Sequence, residues 1–512
     1  MEKLKNVLHP RRNSQKFSTS SFRHWAVAFI VCDFNVDVGP EVLLVYPPDT
    51  PFSQSDLSAI CFNSFPERQD GETVHDLTFQ FTTRNRSADV LLASPCAPHG
   101  SPSHFHGSCL FRQTFDGTTK RSFDQKSLVL ISNHDFPALF HRVLHLMTDA
   151  GNICDPITLE AACTQIAAWP PPSIGRHDLP FLGSLLALEI APHAAFPLQG
   201  LSMAPAPLAL AGSDPSPIYA YQPTGSWAGL VPYLSSLSEL YITFEKMLLC
   251  ENVVVIAKSP QLVSEVVSAL VDLIKPVPYA GEIRPYLTMQ SEFSAAGLNG
   301  GTSRHFIVGI TNPFLLKRMV DAVESSGGTR PHVVYLHNSG QVPLKQHRSQ
   351  HSSPIGFDIP GGAIDSRFPM KYHLKADRTF LQSLDGMMRV ASTTGPDTVG
   401  PLIRRHFAEL TAQYLSPIIR YLATGMSPNV ASPGGNLQYA NFNEVEFLQS
   451  LSKHGTSVKF RGQGPLQRHK ARNNLYAEFC RSPNFYSWLD MKLSLEKEAS
   501  AGLLNGSASS GS

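Results

Sequence analysis

The chain has 512 residues, with 42 Lys plus Arg against 41 Asp plus Glu, a formal net charge of +1. That balance offers no global field for nucleic acid. With 42% hydrophobic residues, the composition also excludes a coiled coil, a collagen and a wholly disordered chain. Proline is in excess, 40 residues in all, or about 8% against a usual 5%. Eight cysteines without a CxxC pair give neither a disulfide scaffold nor a zinc ribbon, so reduced thiols in a cytosolic protein are expected.

In chain order, residues 1–21 form a basic arm, with Lys3, Lys5, Arg11, Arg12 and Lys16 against a single Glu2. It has no apolar core of a secretory signal. A solvated arm is the commoner reading of such a segment, and a mitochondrial presequence the alternative. Residues 24–34 and 41–46 read as a hairpin closed by a turn around Gly39 and Pro40. A helix capped by Ser53 follows, over 53–65. Strands are expected at 77–83, 109–115 and 127–132, then a helix over 136–147. The order predicts a compact α/β lobe ending near the Trp169-Pro170-Pro171-Pro172 run.

Residues 182–190 form another strand candidate. Between Glu189 and Glu239 the only charged residue is Asp214, and prolines crowd the stretch. No helix, membrane-spanning or packed, can be built through prolines at that density, so 191–224 reads as an inserted loop. From 233 onward helices and strands alternate: helix 233–250, strand 252–257, helix 260–274, strand 306–310, helix 313–323 and strand 332–336. Buried strands alternating with helices argue for a parallel sheet with right-handed crossovers. A second break covers 337–372. The remainder reads helical, notably 402–422 with a kink at Pro417, then 444–451 and 475–489. Residues 497–512 form a Gly/Ser/Ala tail.

Motifs that carry chemistry are absent from the sequence. There is no Gly-Lys dipeptide for a phosphate loop, no GxSxG elbow and no HExxH. His141 and His145 have metal-ligand spacing on a helix, but their face lies opposite the apolar stripe, which predicts a solvated pair. His99, His104 and His106 near Cys96 and Cys109 have irregular spacing for zinc. No metal site and no cofactor are expected. Between 453 and 472 lie Lys453, Lys459, Arg461, Arg468, Lys470 and Arg472 with no acid. One aromatic, Phe460, is too little for nucleic-acid reading. A solvated face is the bland reading. Lys459, Arg461, Arg468, Lys470 and Arg472 are otherwise candidates for meeting an anionic membrane or an acidic partner.

Several ordered stretches resemble the DENN-domain family. They include Phe34-Asn35-Val36-Asp37-Val38-Gly39 with Val45-Tyr46-Pro47-Pro48, and Lys-Ser-Leu-Val-Leu-Ile-Ser at 126–132. Further pieces are 159–169, Arg284-Pro285-Tyr286, Gly309-Ile310-Thr311-Asn312-Pro313-Phe314, 402–410, Phe460-Arg461-Gly462 and Arg481-Ser482-Pro483-Asn484-Phe485. The resemblance spans about 22–495. Insertions at 94–106, 191–224 and 338–370 depart from the family, as does Gln463-Gly464-Pro465 where an acid and an aromatic are usual.

The resemblance implies a longin-like N-terminal lobe at 22–175 and a central parallel α/β lobe at 178–340. A linker at 341–369 and a helical downstream region at 370–495 would follow. It implies a regulatory guanine-nucleotide exchange factor, not an enzyme with a chemical active site. Its partner would be a Rab-family GTPase of endosomal recycling traffic, met in the cytoplasm and at endosomal membranes without a transmembrane span. A Rab-binding scaffold or effector, and an α/β enzyme with an unrecognised site, are the alternatives. Loops at the carboxyl ends of parallel strands are the usual crevice. The GTPase-contact candidates are therefore Ser259, Pro260, Asn312 and Pro313, with Arg284 and Tyr286 from the short Arg-Pro-Tyr motif.

Overall fold

The computed structural model describes residues 17–35, 37–67, 76–84, 104–115, 123–150, 155–194, 217–291, 305–325, 329–336, 372–390, 398–425 and 442–508. The basic arm at 1–16, most of the insertion (195–216), the break at 337–371, and Cys96 and His99 lie outside these residues. The fold class read from the sequence holds: an antiparallel sheet comes first, a parallel sheet follows, and helices close the chain.

The first sheet begins with the predicted hairpin, β1 (Ala28–Asn35) and β2 (Gly39–Tyr46). The Asn35 side-chain oxygen accepts from the backbone N–H of Asp37 (2.9 Å) and Val38 (3.3 Å). This is the local turn chemistry asparagine favours, and Gly39 leaves the turn at φ +96°. Strands β3 (Leu77–Arg84), β4 (His104–Phe115) and β5 (Phe123–Ser132) complete the order β2-β1-β5-β4-β3, antiparallel throughout.

Alternation splits this sheet between two cores. Ala28, Ile30 and Cys32 face one way, with Leu57, Ile60 and Cys61 of the helix Gln54–Asn63. Phe29 and Val31 face the other, with Phe136, Leu139 and Val143 at the helix Pro137–Ala150 and Leu159 and Ile166 of the helix Pro156–Ala167. Ser53 and Asp56 form a reciprocal capping box.

One expectation about histidine is corrected here. His141 is not solvated: its Nε2 is buried and burial pushes the ring down to about 3. His145 is exposed and meets the Thr78 hydroxyl at 3.3 Å. On β4, the alternation puts His104 and His106 on one face. Cys109 packs into the core on the other, so these residues do not converge as a donor set.

Strands β6 (Gly175–Phe181), β7 (Ser184–Ile190) and β8 (Ile218–Tyr219) form a small second sheet. The sequence reading missed β6, where a proline and charged residues mask a regular alternation of exposed and buried positions. It packs beside Trp25, Phe136 and Trp169 of the first core, and the boundary set at 175–178 runs through it. The last part of the 191–224 insertion, β8, pairs parallel with β7.

The central sheet has the order β10-β11-β9-β12, all parallel, from β9 (Val253–Ile256), β10 (Glu282–Leu287), β11 (Phe306–Ile310) and β12 (His332–Tyr335). Strand β10 was also missed, because Pro285 breaks the pattern. Proline is tolerated on an edge strand, where no ladder donor is needed. A Cβ on Gly309 of β11 would lie 2.2 Å from the Pro285 carbonyl oxygen, so the two strands meet there only through glycine.

The helices Arg378–Val390, Val399–Gly425, Glu444–His454, Pro465–Cys480 and Pro483–Ala508 follow. The single helix expected over 475–489 is two. Pro483 disfavours helical geometry in the residue before it, and Ser482 caps the new helix by accepting from Phe485 N–H. The last helix continues past 497, into the stretch read as a tail.

Buried polar groups fasten these helices to the central sheet. Asp272 bonds Arg404 at 2.6 Å and Lys275 at 2.7 Å. Burial alone would raise its pKa, but the two cations outweigh it and hold it below the ordinary carboxylate value. Glu245 accepts from the backbone N–H of His373 and Leu374 at 2.8 Å. Here burial prevails and raises the carboxyl to about 7.

The two carboxyls predict opposite pH dependences. Asp272 contributes stability above its unfolded pKa and loses it as pH falls through the folded value. Asp272→Asn should therefore cost about 3–5 kcal/mol at neutral pH, with the gap closing in acid. Glu245 costs stability as pH rises from 4.5 to about 7, by about 3 kcal/mol in all. Glu245→Gln should flatten that limb in denaturant-midpoint measurements across pH.

Candidate functional site

Because the central strands run parallel, the chain leaves them all at one edge. β9 runs into Ser259 and Pro260, at the start of the helix Pro260–Leu273. β11 runs into Asn312 and Pro313, at the start of the helix Pro313–Ser325. β10 runs into Thr288 and Met289. The four crevice candidates therefore do share one edge, as the alternation of elements predicted.

Their side chains differ in what they can offer. Pro260 is buried, and Ser259 is half-buried with no side-chain cap bond to the helix it precedes. Asn312 is half-buried. Its side-chain oxygen accepts from Phe314 N–H at 3.0 Å and so caps the helix. Pro313 is half-buried and Phe314 is 59% exposed. An exposed aromatic beside a crevice is an uncommon surface group with a large apolar payload. The sequence reading passed over Phe314, although it sits in the quoted Asn312-Pro313-Phe314 motif. Composition alone does not say which way an aromatic in the first turn of an apolar helix faces.

The first lobe reaches this same edge. Glu67, just beyond the helix Gln54–Asn63, accepts from Met289 N–H and is bonded by the Asn312 side chain. Burial pushes its carboxyl up, and those two bonds draw it part of the way back. Asn63 accepts from the hydroxyls of Thr288 at 2.8 Å and Ser291 at 3.1 Å. Carboxylate, amide and exposed ring thus come together from both sheets.

Arg284 and Tyr286 lie behind that edge. Arg284 is 9% exposed and Tyr286 1%. The Arg284 guanidinium donates to the Thr82 carbonyl (3.2 Å) and hydroxyl (2.9 Å) and to His104 Nε2 (2.6 Å), and it pairs with Glu282 (2.6 Å). Burial, then the Arg284 charge, lowers His104 to about 4, so a neutral ring accepts that bond. Tyr286 stacks edge-on against Phe79, centroids 5.3 Å apart, and its hydroxyl accepts from Glu67 N–H. Both residues seal the seam between the two sheets. Neither presents its side chain to a partner in this arrangement, because the partners that satisfy it lie within the chain.

The five basic candidates lie on the helical region. Lys459, Arg461, Arg468 and Lys470 are exposed. Arg472 is half-buried, with its guanidinium bonded to Ser452, His469 and Asn473. Among the described residues no group of three or more His, Cys, Asp or Glu side chains is arranged to hold a metal ion.

No family model matches the chain. It is 29% identical to human Protein DENND6B, over 93% of this chain and 81% of that protein. It is 28% identical to mouse Protein DENND6B, over 91% and 79%. It is 24% identical to the Dictyostelium discoideum Protein DENND6 homolog, over 92% and 71%. This similarity over about nine tenths of the chain supports a DENN-domain protein, and two sheets joined at one edge and followed by helices are consistent with it. Within that family the chain is DENND6-like.

The seam and the edge respond differently to mutation. Arg284→Met should destabilise the fold by about 3 kcal/mol, since the half-buried Glu282 loses its cation and Thr82 and His104 lose their donor. Phe314→Ala should stay within about 0.5 kcal/mol of the parent. Thermal and denaturant unfolding of the purified variants measures both.

Proposed function

We propose that this chain is a guanine-nucleotide exchange factor that promotes GDP release from a Rab GTPase in endosomal recycling traffic. In this reading it works in the cytoplasm and meets endosomal membranes peripherally. DENN-family proteins are in general Rab exchange factors. The observation that carries the reading is the DENND6 likeness over about nine tenths of the chain. It is supported by the exposed edge at which both sheets meet. Among the described residues no helix is long and apolar enough to cross a membrane.

Exchange of this kind needs no nucleophile. A protein that binds the nucleotide-free GTPase more tightly than the loaded form must weaken nucleotide binding by the same factor. What it needs is a surface that holds the switch segments away from the nucleotide. Asn312, Pro313, Phe314 and Glu67 supply a rigid one. Ser259 lies on the same edge. Arg284 and Tyr286 act on it through the seam, by fixing the angle between the sheets. Apolar aromatic anchors at the centre of an interface carry much of its binding energy, and Phe314 is the group of that kind here.

Fluorescent-GDP release across a full Rab panel tests the proposal. Acceleration of at least one Rab is expected, and Phe314→Ala should lower kcat/KM for it about tenfold or more. GTP-dependent binding with unchanged GDP release would overturn exchange in favour of a scaffold or effector. A metabolic α/β enzyme would instead show neither.

A further inference from the structure

The helical region carries a surface unlike the rest of the chain. Phe460 and Leu374 form an antiparallel bridge with both side chains buried. Lys375 N–H donates to the Lys459 carbonyl and Arg461 N–H to the His373 carbonyl, each within 3.0 Å. Alternation on such a bridge turns the residues flanking the buried pair outward. Lys375, Lys459 and Arg461 are accordingly exposed, and the Arg461 guanidinium lies 3.8 Å over the Tyr372 ring. The chain then turns tightly onto the next helix. Gln463 N–H donates to the Gln467 side chain at 2.8 Å, and a Cβ on Gly462 would stand 2.8 Å from the Arg468 backbone nitrogen. Arg461 is thereby held beside the first turn of the helix Pro465–Cys480.

That first turn presents Leu466, which is 82% exposed and the most exposed large apolar side chain described. Lys470 sits one turn on, along the same stripe, with Arg468 beside it. Among the described residues, Lys459, Arg461, Arg468 and Lys470 make no ion pair. Unpaired cations on flexible stems around one projecting leucine do not match a protein interface. A protein interface gathers several apolar side chains at a packed core and depletes lysine. A bilayer surface does fit. Its acyl boundary takes an apolar tip, and its anionic headgroups attract the cations around it.

We propose that this face docks on anionic lipid bilayers, with Leu466 entering the headgroup region and Lys375, Lys459, Arg461, Arg468 and Lys470 engaging the headgroups. Arg472, bonded within the chain, holds the helix pair together and is outside the docking face. The proposal rests on the membrane-peripheral part of the reading above and is independent of exchange activity.

Co-sedimentation of the full chain with phosphatidylcholine vesicles, with and without phosphatidylserine, is the test. Binding is expected only with phosphatidylserine, and should weaken as salt rises. Each cation removed should lower affinity about fivefold, so Lys459→Ala, Arg461→Ala and Arg468→Ala together give roughly a hundredfold loss. Leu466→Ser alone should give about a tenfold loss. Circular dichroism and GDP release in solution, without vesicles, check that the variants fold and separate this test from that of exchange. Equal binding to neutral vesicles, or parental vesicle binding by Leu466→Ser, would overturn the proposal. So would capture of polyglutamate by parent and Leu466→Ser alike in the absence of vesicle binding, which would assign the face to an acidic polypeptide.

Discussion

A guanidinium taken almost wholly out of water must have its donors matched, and Arg284 meets that condition with groups from both sheets. Glu282 lies two residues away on its own strand, whereas Thr82 lies on β3, the edge strand of the antiparallel sheet, and His104 on its neighbour β4. Separating the sheets would leave the ion and its carboxylate short of partners, a cost of several kcal/mol in a desolvated setting. Tyr286 and Thr288, on the same side of the break, repeat the arrangement with Glu67 and Asn63. These bonds fix the first lobe at the carboxyl end of β10. The exposed edge around Phe314 is built from two lobes only because this seam holds.

The same logic joins the helices to the central sheet. The Asn484 side chain is wholly buried, accepts from Ala280 N–H at 2.7 Å and donates to the carbonyls of Met247 and Leu248. Glu245 grips the backbone at 373–374, and Asp272 grips Arg404. Each of these polar groups reaches across sequence-distant elements, and each would be costly to strand. The short motifs that carried the family resemblance therefore gain a physical meaning. Arg284, Tyr286 and Asn484 are fastenings between lobes, and Gly309 is where two strands pass too closely for a side chain.

How much was legible in the sequence follows from which interactions are local. β9 and β11 are short β-branched runs, and the Ser53 cap and the Asn35 turn are decided within a few residues. All of these were readable. β6 and β10 were not, since a proline in each defeats a propensity argument that edge pairing overrides. The burial of Arg284 could not be read, because its partner Thr82 lies 202 residues away. Of the crevice positions, the shared edge was legible from parallel connectivity alone. Which side chains face outward was not. Pro260 is buried and Phe314 exposed, although both sit in the first turn of an apolar helix. The basic run at 453–472 was visible as charge, but not its sorting: the bridge between Leu374 and Phe460 turns Lys459 and Arg461 outward, while Arg472 bonds Ser452 on the neighbouring helix.

A surface that works by shape places unusual demands on rigidity. An exchange factor stabilises one conformation of its partner by differential contacts, and a yielding surface would relax around the loaded GTPase and lose the difference. The coupling it can exert is bounded by how little its own edge deforms. In the function proposed above, the buried bonds behind the edge are part of the mechanism, although none of them would touch the partner. Buried polar groups hold the two sheets and the helical region together across sequence-distant elements. The faces left open, one apolar at Phe314 and one basic around Leu466, lie on a central lobe and a helical region that these buried bonds join. A contact made at either face therefore orients the other.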